Sequence, residues 1–210
     1  MNRRVLLLCG VLSPVLYALA DAVSGLLLAG YSFRDQTISE LGALGAPSRP
    51  LFSALLFVVY LLFVAFGVGV WRCAAGRRAL RVVGGLLIAL GVLALAVGMF
   101  VPMRPRGTEQ GLMGALHLIE GVIAMLIVFT AMGFGAVSFG TRFRIYTIAT
   151  MVVMLVFGAW SGTAVQQIEA GAPTPWIGVI ERIWWYAYQA WFAVLALTLL
   201  RLDAAAGQPK

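Results

Sequence analysis

Six long apolar runs separated by short polar links leave this chain few ways to fold. Each run has about 20 residues, the length that crosses ~30 Å of hydrocarbon as a helix. A backbone in hydrocarbon must satisfy its own N–H and C=O groups, and the alternating pattern of a barrel strand is absent, so the fold class is an all-α polytopic bundle. The spans fall at about 5–30, 51–71, 82–102, 111–138, 145–165 and 177–200. They form one transmembrane domain over residues 1–202, with 203–210 as a loose cytoplasmic tail. Composition agrees: 62% of residues are hydrophobic and 11% charged, against roughly 25% charged in a soluble domain. The apolar run after Asn2-Arg3-Arg4 continues to Ala29, so it reads as the first span and not as a signal peptide.

A net charge of +7 does not mark a nucleic-acid binder, because the basic residues flank spans and no basic domain or aromatic platform accompanies them. They set topology instead. Ten of the fifteen basic residues lie on the side of the two termini, and five (Arg34, Arg49, Arg104, Arg106 and Arg182) lie on the other. The positive-inside rule then places both termini in the cytoplasm. Seven of the eight acids belong to the outer side. Candidate chemistry therefore faces outward. Cys9 and Cys73 support neither a disulfide framework nor a zinc cluster.

In the first span, Ser13, Tyr17, Asp21 and Ser24 recur at helical spacing and share a face. The outer link that follows contains Thr37-Ile38-Ser39-Glu40, a capping box that predicts a short interfacial helix before Gly42, Gly45 and Pro47 end it. Spans two and three are nearly pure hydrocarbon with glycines for close helix approach, and a second copy or a membrane-protein partner could dock there. Span four carries the chain's single histidine, His117, three residues before Glu120 on the same face. In span six, Glu181, Trp185 and Tyr188 share one face and Arg182, Tyr186 and Gln189 another. Neighbouring Glu181 and Arg182 point about 100° apart, poorly placed to neutralise each other.

By depth, Asp21, His117, Glu120 and Glu181 all lie in the outer half of the membrane, where an ionisable group is a functional-site hypothesis by default. They are the candidate catalytic residues: Glu120 or Asp21 as base, His117 as its partner. His117, Glu120 and Asp21 also suit a divalent metal, which the pocket permits but does not require. Arg34, Arg49, Arg104 and Arg106 are candidates to hold an anionic head group or phosphate, and Arg182, Trp185 and Tyr188 are further candidate binding residues. The competing reading is structural. Buried His–Glu and Asp–Arg pairs also lock a bundle's register, arginines anchor at interfaces, and Thr37 and Glu40 cap a helix. The leading expectation is an outward-facing polar pocket that binds or acts on a membrane lipid or other amphiphile. The alternatives are a small proton- or cation-coupled transporter, disfavoured by the bare cytoplasmic halves of the spans, and a non-catalytic assembly partner.

The run from Ile38 to Pro47 (ISELGALGAP), the Phe100-Val101-Pro102 ending of span three, His117 early in span four and Glu181-Arg182 early in span six resemble family 998 of the domains of unknown function. Glu40 stands where that family's pattern would have aspartate. The resemblance covers nearly the whole chain and implies a six-helix fold in a bacterial or archaeal plasma membrane, with no activity attached. A looser similarity in layout to Frag1-like six-span proteins carries over no residue.

Overall fold

The protein is described by a computed structural model over residues 2–206. Seven α-helices form: α1 (Arg3–Leu27), α2 (Arg49–Arg72), α3 (Arg78–Ala96), α4 (Gly111–Ala136), α5 (Thr141–Gly162), the short α6 (Val165–Glu169) and α7 (Ile177–Ala206). Among the described residues there is no strand. Among the described residues these helices make up six segments long and apolar enough to span a membrane, α5 and α6 together forming the fifth, so the chain is a transmembrane helical bundle. Each span packs on the next in sequence, and α7 closes the ring between α5 and α1.

The helix faces follow the sequence periodicity. On α1, Ser13, Tyr17, Asp21 and Ser24 are all buried, while Leu12, Val15, Leu19 and Leu26 are exposed. In water this would be inverted; in a bilayer, hydrocarbon solvates the exposed leucines and the polar stripe turns inward, where Asp21 finds its partner. α1 ends at Leu27, three residues before the expected end at Gly30. Asp21 therefore lies roughly 9 Å from the helix end at 1.5 Å per residue, shallower than expected. Toward the chain termini the core is mainly apolar and aromatic: Phe63 packs edge-to-face on Phe192 at 5.2 Å, beside Leu7, Phe66 and Leu195, and the buried Thr147 accepts from Trp191 Nε1 at 2.9 Å.

The glycines of α2 and α3 are taken up within the chain. A Cβ on Gly67 would lie 2.8 Å from the Gly84 carbonyl oxygen, and one on Gly84 would lie 2.6 Å from the Trp71 nitrogen. Only glycine permits that approach. Gly69 meets α1 in the same way, 2.9 Å from Leu6 Cβ. These contacts lie inside the monomer, where the sequence left room for an external partner helix.

At the end of the bundle opposite the termini, the 28–48 link folds back as a roof. Its predicted short helix forms as a 3-10 turn, Ile38–Gly42, with the Thr37 amide donating to Glu40 Oε2 at 2.7 Å. Ile38 and Leu41 are buried against the bundle. α3 breaks at Val97 into a second 3-10 turn, Gly98–Phe100. The extended segment after it joins the roof where the Leu44 amide donates to the Met103 carbonyl at 2.9 Å. At the other end, α7 runs on through 203–206, where a loose tail was expected. Alanines 204–206 favour helix, and Asp203 is held by Arg4 Nε at 3.0 Å. Residues 207–210 of that expected tail lie outside the described residues.

Candidate functional site

Asp21 is a buried carboxylate, 3% exposed, and its partner is Arg182. Arg182 Nε donates to Oδ2 at 2.9 Å and Nη2 to Oδ1 at 2.7 Å, a two-pronged pair whose parallel bonds fix direction as well as charge. Tyr186, one turn beyond Arg182 on the same face of α7, donates its hydroxyl to Oδ2 at 2.6 Å. The remaining donors of Arg182 turn to the roof: Nη1 reaches the carbonyls of Phe33 (2.9 Å) and Gln36 (3.2 Å), and Nη2 reaches the Tyr31 hydroxyl (2.8 Å). Tyr31 in turn donates to the Thr37 carbonyl at 2.8 Å. One guanidinium thus ties α1, α7 and the roof together.

Glu181 points away from Arg182, as helical spacing requires. Its carboxylate accepts from the Ile38 amide, and Ser39 donates to it at 3.3 Å, so it holds the first turn of the roof. Glu40 is the third clamp. Arg106 Nε and Nη2 donate to its two oxygens at 2.8 and 2.9 Å, and Arg106 Nη1 reaches the Ala172 carbonyl at 3.1 Å. Burial pushes the Glu40 carboxyl up, but the Arg106 bonds and the Thr37 amide outweigh it and leave the group below its ordinary value. At the surface, the Arg34 guanidinium and the Trp176 amide hold Asp35 down to about 2.

Beneath the roof lies a cavity of about 310 Å³. It is walled by the roofed halves of α2, α4, α5 and α7 and bottoms out near Tyr17 and Tyr60. His117 and Glu120 both line it, as the i, i+3 spacing predicts, together with Glu181, Arg49 and Trp185. His117 Nδ1 donates to the Val101 carbonyl at 2.9 Å, which leaves Nε2 with the ring's lone pair. Glu120 has no hydrogen bond or ion pair among the described residues. It abuts the second 3-10 turn, where a Cβ on Gly98 would lie 3.1 Å from its Oε1. Arg49, likewise without an ion pair among the described residues, opens α2 at the cavity rim.

The structure therefore divides the expected constellation in two. His117, Glu120 and Glu181 share a cavity; Asp21 sits outside it, committed to Arg182 and Tyr186. The metal set His117, Glu120 and Asp21 does not assemble, and among the described residues no three His, Cys, Asp or Glu side chains gather as metal ligands. Of the candidate binding residues, Arg49 and Trp185 line the cavity. Arg34, Arg106 and Arg182 are engaged by Asp35, Glu40 and Asp21. Arg104 is exposed away from the cavity. Tyr188 is buried below it, packed on Trp185 and Phe192.

Sequence reasoning missed Tyr31, Trp184, Ser53 and Tyr60. It also placed Tyr186 on the Arg182 face without finding their shared partner. The signal was present: Arg182 and Tyr186 at i, i+4 form a double donor at the depth of a lone acid on another span.

A family model described as "Protein of unknown function (DUF998)" matches residues 11–198, so the chain belongs to that family. No curated protein and no solved structure matches it.

Proposed function

We propose that this member of the DUF998 family holds a membrane lipid or other amphiphile in the cavity beneath its roof, as a binding protein or as an enzyme acting on the bound head. One observation carries the reading: Glu120 and Arg49, two ionisable side chains with no hydrogen-bond or ion-pair partner among the described residues, open onto the same cavity as His117, and its lower walls are aromatic and apolar. Keeping charge in a bilayer without a partner is costly, and a ligand or water in the cavity supplies one. A volume of about 310 Å³ lies at the low end of the roughly 300–1,000 Å³ of small-molecule pockets.

The surplus of basic residues at the end of the termini supports an outward-facing cavity, with the 3-10 turn of the roof near the interface. A cation pathway would need polar groups to continue toward the termini. The core there is mainly Leu7, Phe63, Phe66 and Phe192, with no ionisable side chain among them and the buried Thr147 taken up by Trp191, which favours a closed-bottom pocket over transport. If the bound head reacts, Glu120 is the base and His117 its neighbour on the same face.

The test is to fill the cavity. Ser53 lines its wall, and Ser53→Trp should strip the amphiphile that lipid extraction and mass spectrometry find enriched on the purified protein, whereas Ser53→Ala should retain it. A folded Ser53→Trp protein carrying the same lipid complement as wild type would defeat the proposal.

A further inference from the structure

We infer that the cavity is filled sideways from the bilayer, between α4 and α5, by a single-chain amphiphile of no net charge whose apolar chain lies in that cleft; this rests on the pocket reading above.

The two helices are packed tightly only near the end of the termini. On α4 no residue between Gly114 and Val128 is buried, and on α5 none lies beyond Met154. The roofed halves of both helices border the cavity, and Leu118 and Val122 line it while remaining 46% and 52% exposed. A residue that faces both the cavity and the outside marks a gap in the wall.

The glycines there behave differently from those of α2 and α3. A Cβ added at Gly121 or Gly162 would meet nothing within 4 Å, and one at Gly158 would meet only Met125 Sδ at 3.8 Å and the Trp184 ring at 3.9 Å. Met125 opposite Gly158 fixes the antiparallel register, and one turn toward the roof brings Gly121 opposite Gly162. Helix packing asks for no glycine at either position, and both face the cavity. They leave an open slot with the Trp184 ring behind it.

The slot suits one acyl chain. The cavity is too small for a two-chain lipid, and the head end carries both signs of charge, Arg49 against Glu120 and Glu181, so a head of no net charge with hydroxyls to give and accept is matched better than an anion or a cation.

The probe is a monoacylglycerol carrying a photoreactive diazirine either at the chain's terminal methyl or beside the head, mixed into vesicles with the full-length protein. The terminal-methyl probe should label segments 118–125 and 158–162, and the head-side probe the segments holding Arg49 and residues 98–103. Gly121→Phe and Gly162→Phe, at positions where an added Cβ meets nothing within 4 Å, should each lose the terminal-methyl labelling while the head-side labelling reports that the protein is folded. A fatty acid of the same length should compete less well. Terminal-methyl labelling at Tyr17 and Tyr60 with head-side labelling unchanged would overturn the lateral slot and leave the pocket standing, as would unaltered labelling in both phenylalanine variants. Labelling no stronger on these segments than on the exposed face at 145–155 would overturn the pocket as well. Stronger competition by the fatty acid would overturn the neutral head.

Discussion

Arg182→Met removes the guanidinium that Asp21 faces and leaves a 3%-exposed carboxylate with only the Tyr186 hydroxyl for company. Both side chains are nearly sealed, 12% and 4% exposed, so solvent does little to soften the change. Stranding one member of such a pair costs about 3–5 kcal/mol. The Phe33 and Gln36 carbonyls and the Tyr31 hydroxyl lose a donor in the same step. Asp21→Asn is milder, because the amide oxygen still accepts from Arg182 Nε and the Tyr186 hydroxyl while its NH2 loses the Arg182 Nη2 bond; a cost of about 1–3 kcal/mol is expected. In the double variant no charge is stranded, so its cost should fall short of the sum of the single costs by about 0.5–3 kcal/mol. Reversible unfolding in mixed micelles measures all three, and amide exchange should report faster opening at residues 33–38 in Arg182→Met. Additivity within about 0.5 kcal/mol would refute the pairing, as would unchanged exchange in the roof despite a large loss of stability.

The glycines give opposite outcomes by location. Gly84→Ala forces its methyl against the α2 backbone at Trp71 and should destabilise by about 1–3 kcal/mol. Gly121→Ala meets nothing within 4 Å and should be neutral or stabilising by up to about 1 kcal/mol through helix propensity; thermal melting in detergent reversing that order would contradict the packing. The roof should also respond to acid. Glu40 and Asp35 have lower values folded than unfolded, so their stabilisation is complete above the unfolded value near 4 and is lost as pH falls below it. A spin label on Leu44→Cys, at an exposed roof position, should keep its mobility from pH 8 to about 5 and loosen below about 4. Loosening already between pH 8 and 6 would mean that other groups hold the roof.

Particular residues mark the limit of what sequence reading reached. Helical periodicity alone was enough to turn Ser13, Tyr17, Asp21 and Ser24 inward, to set His117 and Glu120 on one face and to separate Glu181 from Arg182, because these are relations within one helix. The Thr37–Glu40 box was legible for the same reason. Depth in the membrane put Asp21, His117, Glu120 and Glu181 in one layer, and there depth misled: it is a single coordinate, and a shared layer does not mean a shared cavity.

What the sequence determined by itself is the number of spans, their inward faces and the asymmetry of charge between the two ends, since hydropathy and helix geometry depend on local residues alone. Only the tertiary structure decided how the layer divides. The order of helices around the ring puts α7 between α1 and α5, so Arg182 meets Asp21 on one side while Glu181 reaches the roof and cavity on the other. That choice depends on which helices close-pack, and it is made by contacts such as Gly67 against Gly84, far along the chain from the charges they place.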